Sequence, residues 1–108
     1  MEVKERTPMT YREYKKQTNY EPRIAEIVDL EDLRKLNRKQ HLVHKRYFLM
    51  NFLRENTRMS LTDIGILFER HHASVIYGLK AHANLIETKD ETYRDNVRGV
   101  KTFLELKF

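Results

Sequence analysis

Between Ser60 and Ile76 the chain permits few folds. Ser60 is suited to cap a helix N-terminus, with Asp63 three residues on to complete the reciprocal box. Leu61, Ile64, Leu67 and Phe68 then recur at helical spacing, so a helix starts near Leu61. Glu69, Arg70, His71 and His72 break the apolar rhythm, which resumes at Val75, Ile76, Leu79, Ala83 and Ile86. This predicts a second, longer helix over roughly 72–87, reached through a turn of three or four residues. Two helices so joined leave the first turn of the second exposed as a probe, the arrangement by which a helix-turn-helix enters the major groove of duplex DNA. A plain helical hairpin is the competing reading of the pattern.

The distribution of charge favours the first reading. The 108 residues carry 21 Lys and Arg against 16 Asp and Glu, a net charge of only +5. Residues 34–58, however, hold Arg34, Lys35, Arg38, Lys39, Lys45, Arg46, Arg54 and Arg58 against Glu55 alone, a local +7 that leaves about −2 for the rest. A basic belt just before a helix-turn-helix is the footprint of phosphate contacts, whose counterion release makes binding steeply salt-dependent. Lys35, Arg38, Lys39, Lys45 and Arg54 are the expected phosphate anchors.

Other features are mostly exclusions. The absence of cysteine removes disulfides, thiolate zinc sites and a cysteine nucleophile. No apolar run approaches the ~20 residues that span a bilayer, and the N-terminus lacks the apolar stretch of a signal peptide, so a cytoplasmic protein is expected. With only Gly65, Gly78, Gly99, Pro8 and Pro22 as turn formers, sheets are disfavoured and an all-α fold is expected. Residues 1–22 read as an arm or appended short helix, with Thr10 and Glu13 capping a turn or two through about Gln17. Tyr11, Tyr14 and Tyr20 in that arm, interleaved with Arg12, Lys15 and Lys16, are expected to pack on the domain, with stacking against nucleic acid as the alternative. Residues 23–108 form the domain proper. It opens at Pro22 on one interrupted helix or two short ones, with Asp29 as a second cap before Leu30, Leu33 and Leu36. A central helix follows over about 41–56, burying Leu42, Val43, Leu49, Met50, Phe52 and Leu53. Thr88 and Glu91 are read as the capping pair of a closing helix over about 90–106, with Tyr93, Val97, Val100, Phe103 and Leu104 inward. The five acids and five bases of residues 81–108 cancel, so that end is read as a packing element.

These residues together resemble a known family, the C-terminal DNA-binding domain of the bacterial replication initiator DnaA. The resemblance covers roughly residues 29–86 and rests on Asp32-Leu33, Arg38-Lys39, Val43-His44-Lys45-Arg46, Ser60 to Gly65, and Phe68 to Ile76. In the last stretch the family typically has Phe, one or two Gly, then Arg-Asp-His-Thr-Thr-Val and an apolar residue. The resemblance implies that Arg46 reaches into the minor groove. It implies that the helix starting near His72 reads the major groove, with Arg70, His71, His72, Ala73 and Ser74 facing bases and phosphates. His71 stands where the family has aspartate and Ala73 where it has its first threonine, so the preferred site is expected to differ from the family's usual box. Protonation of His71 and His72 is expected to tighten binding by adding positive charge near phosphates.

The chain contains no Gly-x-x-x-x-Gly-Lys loop, so it is expected to lack the initiator's ATPase and to act as a free-standing small regulator or accessory factor of replication or transcription. Mobile elements and phages carry such reduced modules. No cofactor is expected. A metal site is disfavoured, because His71 and His72 diverge by about 100° on a helix and neither they nor His82 gather a completing carboxylate or thiol. Asp29, Glu31 and Asp32 likewise read as a cap, and no enzyme is expected. The serious alternative is a protein-binding module that captures the initiator or another partner.

Overall fold

The computed structural model describes residues 21–30, 32–35 and 38–107. The short helix expected over 10–17, the three tyrosines of the arm and Leu36 lie outside them. Among the described residues there are five helices and no strand. They are α1 (Glu21–Leu30), α2 (Gln40–Asn56), α3 (Leu61–Phe68), α4 (His72–Glu87) and α5 (Glu91–Lys107). The all-α expectation and the boundaries of the last four helices hold.

Helix α2 is the centre of the packing, with α3, α4 and α5 all laid against it. Its inward face supplies Leu42, Leu49, Met50 and Leu53, while Val43 and Phe52 are only half-buried. Around it Ile24 and Val28 of α1, Leu33 of the following turn, Ile64, Leu67 and Phe68 of α3, Val75 of α4, and Val100 and Leu104 of α5 close one continuous core. Burial of such side chains from several helices at once is what holds short helices that are marginal alone. Helix α4 approaches α2 at Gly78, where an added Cβ would stand 2.9 Å from Met50 Sδ and 3.3 Å from the Tyr47 ring.

Three helix ends are closed without glycine. At α1 the Leu33 N–H donates to Val28 O (2.9 Å) and Asp32 N–H to Asp29 O (3.3 Å). At α3 Arg70 donates to Gly65 O (2.7 Å) and Glu69 to Ile66 O (3.1 Å). At α4 Asp90 donates to Leu85 O (3.0 Å) and Lys89 to Ile86 O (3.1 Å). Each is the paired bond of a Schellman motif, and the residue past each helix, Asp32, Glu69 or Lys89, sits at φ 55°, a left-handed conformation that ordinarily selects glycine.

Two local expectations are corrected. Asp29 does not start a second helix: it lies inside α1, its carboxylate pairs with Arg34, and residues 32–35 form a turn. Thr88 does not cap the closing helix either. Its hydroxyl donates back to Asn84 O (3.0 Å), finishing α4, and Asp90 Oδ1 takes the Tyr93 N–H (2.8 Å) at the start of α5. The Ser60–Asp63 capping box forms as read, with Asp63 N–H on Ser60 Oγ at 3.0 Å and Ser60 N–H on Asp63 Oδ2 at 3.3 Å.

Periodicity gave no sign of a polar network inside the core. His44, 6% exposed on α2, accepts from Asn96 Nδ2 of α5 at 3.1 Å and meets the Tyr93 ring edge-on. His82 Nδ1 of α4 lies 2.6 Å from the Tyr93 hydroxyl. Burial pushes Tyr93 well above the usual phenol range, so it keeps its proton and donates it. Burial also holds both histidines below the ordinary imidazole value, outweighing the opposite pull of Asp90 on His44 and of Glu55 on His82.

Because these folded values are depressed, the unfolded chain takes up protons that the native one refuses. The stability they contribute is complete above about 6.5 and is lost as pH falls through the lower folded values. The urea midpoint is expected to drop between pH 7 and pH 5.5, and to drop less in His82→Gln; identical midpoints in the wild type would contradict the network. Glu69→Gly is expected to stabilise the fold by about 0.5–1 kcal/mol in the same assay, since glycine takes φ 55° without strain.

Candidate nucleic-acid interface

The turn between α3 and α4 is tight for a local reason. An added Cβ on Gly65 would stand 2.4 Å from the Arg70 carbonyl oxygen, so only glycine lets residues 69–71 fold back across α3. Helix α4 then starts at His72 with His71 as its N-cap. His71 Nδ1 accepts the Ala73 N–H at 3.1 Å, and the His71 and His72 rings lie 4.3 Å apart at 32°. His71, His72, Ala73 and Ser74 are all exposed, whereas Val75 is fully buried and Gly78 is buried against α2. The first turn of α4 is therefore presented to solvent by a helix whose middle is fixed in the core.

Beside that turn lies the short loop after α1, held by arginines. Arg46 of α2 donates from Nε to Leu33 O (2.8 Å) and from Nη2 to Lys35 O (2.7 Å). Arg70 donates from Nη1 to Arg34 O (2.7 Å) and Phe68 O (2.9 Å), and from Nη2 to Lys35 O (2.6 Å). Arg34 in turn donates from Nε to Leu67 O (2.9 Å) and pairs with Asp29. Loop, turn and helix ends are thus joined through carbonyls. Carbonyls satisfy guanidinium hydrogen bonds without neutralising the charge, so the region stays strongly cationic. Burial and the neighbouring Arg70 lower the pKa of Arg46, ahead of the smaller opposite effect of Tyr47, and burial lowers that of Arg70 against Glu69.

The sequence-derived candidates divide accordingly. Lys35, Arg38 and Lys39 are exposed along the loop and its entry into α2, and Lys35 makes only a loose surface pair with Asp32 at 3.8 Å. Lys45 is half-buried on the first turns of α2, whose N-terminus has no side-chain cap and no acid to offset its dipole. Arg54 stands apart, eight residues beyond Arg46 or about 12 Å along the helix, where Nη1 reaches Met59 O at 3.2 Å. At 7% exposure Arg46 is packed under the loop rather than projecting from it. Arg70 is half-buried with the same occupation, and His71 spends one ring nitrogen on the cap.

Two residues were missed. Tyr77, 64% exposed and edge-on to Tyr47 at 6.0 Å, and Lys80 continue the exposed face of α4 beyond Ala73. Their spacing of four and seven from Ala73 was the signal available.

What separates this pair of helices from a plain hairpin is that the second begins in solvent beside a cationic loop, and the fold class is therefore a helix-turn-helix protein. Residues 27–81, half of the chain, match the family described as "Bacterial dnaA protein helix-turn-helix". The chain belongs to that family. It is 38% identical over 80 residues to the chromosomal replication initiator protein DnaA of Chloroflexus aggregans, covering 73% of this chain and 16% of the relative. The protein of the same name from Flavobacterium psychrophilum is 35% identical over 80 residues, with the same 73% and 16% coverage. That of Mycoplasma pneumoniae is 36% identical over 64 residues, covering 59% of this chain and 14% of its own length. The chain thus spans about a sixth of the length of these relatives. No solved structure matches it. Among the described residues no helix is long and apolar enough to cross a membrane, and no group of three His, Cys, Asp or Glu is placed to hold a metal ion.

The clamp makes a prediction about stability that a DNA-contact role alone does not. Arg46→Ala is expected to lower unfolding free energy by about 2 kcal/mol, because Leu33 O loses its partner in a buried setting, while Arg38→Ala leaves it unchanged. Urea denaturation of both variants without DNA decides it, and equal stability would remove the clamp.

Proposed function

We propose that this chain binds double-stranded DNA non-catalytically and sequence-specifically, as a small regulator or accessory factor of replication. The observation that carries the reading is the exposed first turn of α4 held next to a loop rich in exposed bases, Lys35, Arg38 and Lys39. Membership of a family named for a replication initiator's helix-turn-helix supports it.

In this reading His72, Ala73 and Ser74 face base edges in the major groove, with Tyr77 and Lys80 following along the same helix face. His71 caps the helix through Nδ1, which leaves Nε2 as its only ring nitrogen for DNA. Lys35, Arg38, Lys39 and Lys45 meet phosphates on one flank, and Arg54 does so farther along α2. Arg70 sets the spacing between loop and reading helix. Arg46 acts first through the loop, and reaches the minor groove by exchanging the carbonyls of Leu33 and Lys35 for DNA acceptors. Ala73 touches a thymine methyl but makes no hydrogen bond, so the best site differs from the family's usual box.

The test is selection of random duplexes at fixed, near-physiological salt by the wild type and by Arg38→Glu Lys39→Glu. These two residues are exposed, so their reversal leaves the arginine clamp in place, as reversal of Arg46 and Arg70 would not. A defined motif is expected from the wild type and none from the variant, with equal thermal stability. The wild-type affinity should fall steeply with salt, and Ala73→Thr should shift the preferred bases. Recovery of the family's usual box as the best site would refute the altered specificity, and absence of any motif would refute sequence-specific binding.

A further inference from the structure

At the opposite end of α4 lies a second surface that the DNA reading does not use. The sequence pattern places Ile86 on the apolar stripe of α4, yet its side chain is 56% exposed. It borders a groove of about 450 Å³ between the last turns of α4 and one flank of α5, with Phe48 of α2 and Val97 of α5 in its floor. Lys89, Arg94 and Lys101 stand on its walls, all exposed and none paired with an acid among the described residues. Four bases, Lys89, Arg94, Arg98 and Lys101, line the groove against one acid, Asp90, whose Oδ1 takes the Tyr93 N–H at 2.8 Å, while Arg98 pairs with Asp95 at 2.8 Å. Charges that cancel along the sequence are therefore unevenly placed, leaving an apolar floor inside a predominantly cationic rim.

We propose that this groove docks an acidic amphipathic helix of a partner protein. Apolar residues of such a helix at i, i+3 or i+4 and i+7 would cover Ile86, Phe48 and Val97, and its carboxylates would meet the three cations. A purely apolar partner would strip water from those cations without pairing them. A DNA backbone would pair with the cations but gain nothing from the apolar floor, and Ile86 lies about 20 Å along α4 from Ala73. Residues 1–20 of the chain itself carry five bases and three acids, the wrong sign for this rim.

The isotope-labelled full chain is titrated by NMR with a synthetic helical peptide bearing leucine at those spacings and glutamate elsewhere, and with its lysine-for-glutamate counterpart. Saturable shifts are expected at Ile86, Lys89, Val97 and Lys101 with the acidic peptide alone. Arg94→Glu Lys101→Glu should weaken its binding about tenfold, and Ile86→Ala should weaken it as well. Affinity for duplex DNA and the thermal midpoint should stay unchanged in both variants. Shifts centred on the loop or the first turn of α4, or no saturation by about 1 mM, would overturn the proposal. So would loss of duplex affinity in the charge reversal, which would give the groove to DNA instead. Because DNA binding is read separately, the two proposals fail independently.

Discussion

The arrangement of the candidate interface depends on guanidinium groups bonded to backbone carbonyls. Arg34, Arg46 and Arg70 come from the loop, from α2 and from the turn before α4, and their acceptors lie on the loop and on the end of α3. A guanidinium presents several donors in a fixed plane, so one side chain can span two carbonyls and fix the distance between the segments that carry them. Lys35 O receives both Arg46 and Arg70, which makes that single oxygen the point where the loop, α2 and the turn before α4 meet. Carbonyl acceptors also preserve the positive charge that carboxylates would have cancelled. The same bonds therefore position the loop and keep it attractive to phosphate.

The helix-turn-helix geometry rests on two backbone facts at neighbouring residues. Gly65 leaves room for the Arg70 carbonyl, and Glu69 adopts the left-handed conformation that turns the chain out of α3. Using Glu69, Asp32 and Lys89 at such positions costs conformational energy that the paired Schellman bonds and the core offset. Helix α4 consequently has three parts: a first turn in solvent, a middle pressed on α2 at Gly78, and a last turn whose Ile86 is again exposed beside α5. The surfaces proposed for DNA and for a partner helix lie at the two ends of one helix whose middle is used for packing.

Much of this was legible before any coordinates. The Ser60–Asp63 box, the limits of α3 and α4, and the inward residues of α5 followed from side-chain chemistry and spacing, because capping and amphipathic burial act within a few residues. Other readings failed where two local solutions compete. Asp29 and Thr88 are both good caps by type, but Asp29 is drawn into an ion pair with Arg34 and Asp90 stands nearer the start of α5. Helix ends closed by non-glycine residues were invisible, since residue type argues against them.

The sequence by itself determined the all-α class, the helix-turn-helix pair, the basic belt and the family, because each is written in neighbouring residues. Only the tertiary structure decided what the charged and polar residues do. His44 and Arg46 lie on the same helix as exposed cations, and nothing local marks them for burial; Asn96, 52 residues from His44, and Leu33, 13 residues from Arg46, do. The acids and bases of the last helices cancel along the sequence, yet four bases and one acid line the groove between them, because a helix distributes successive residues around its axis. Burial, pairing and the aim of a side chain depend on distant partners, and that information is present only once the chain has packed.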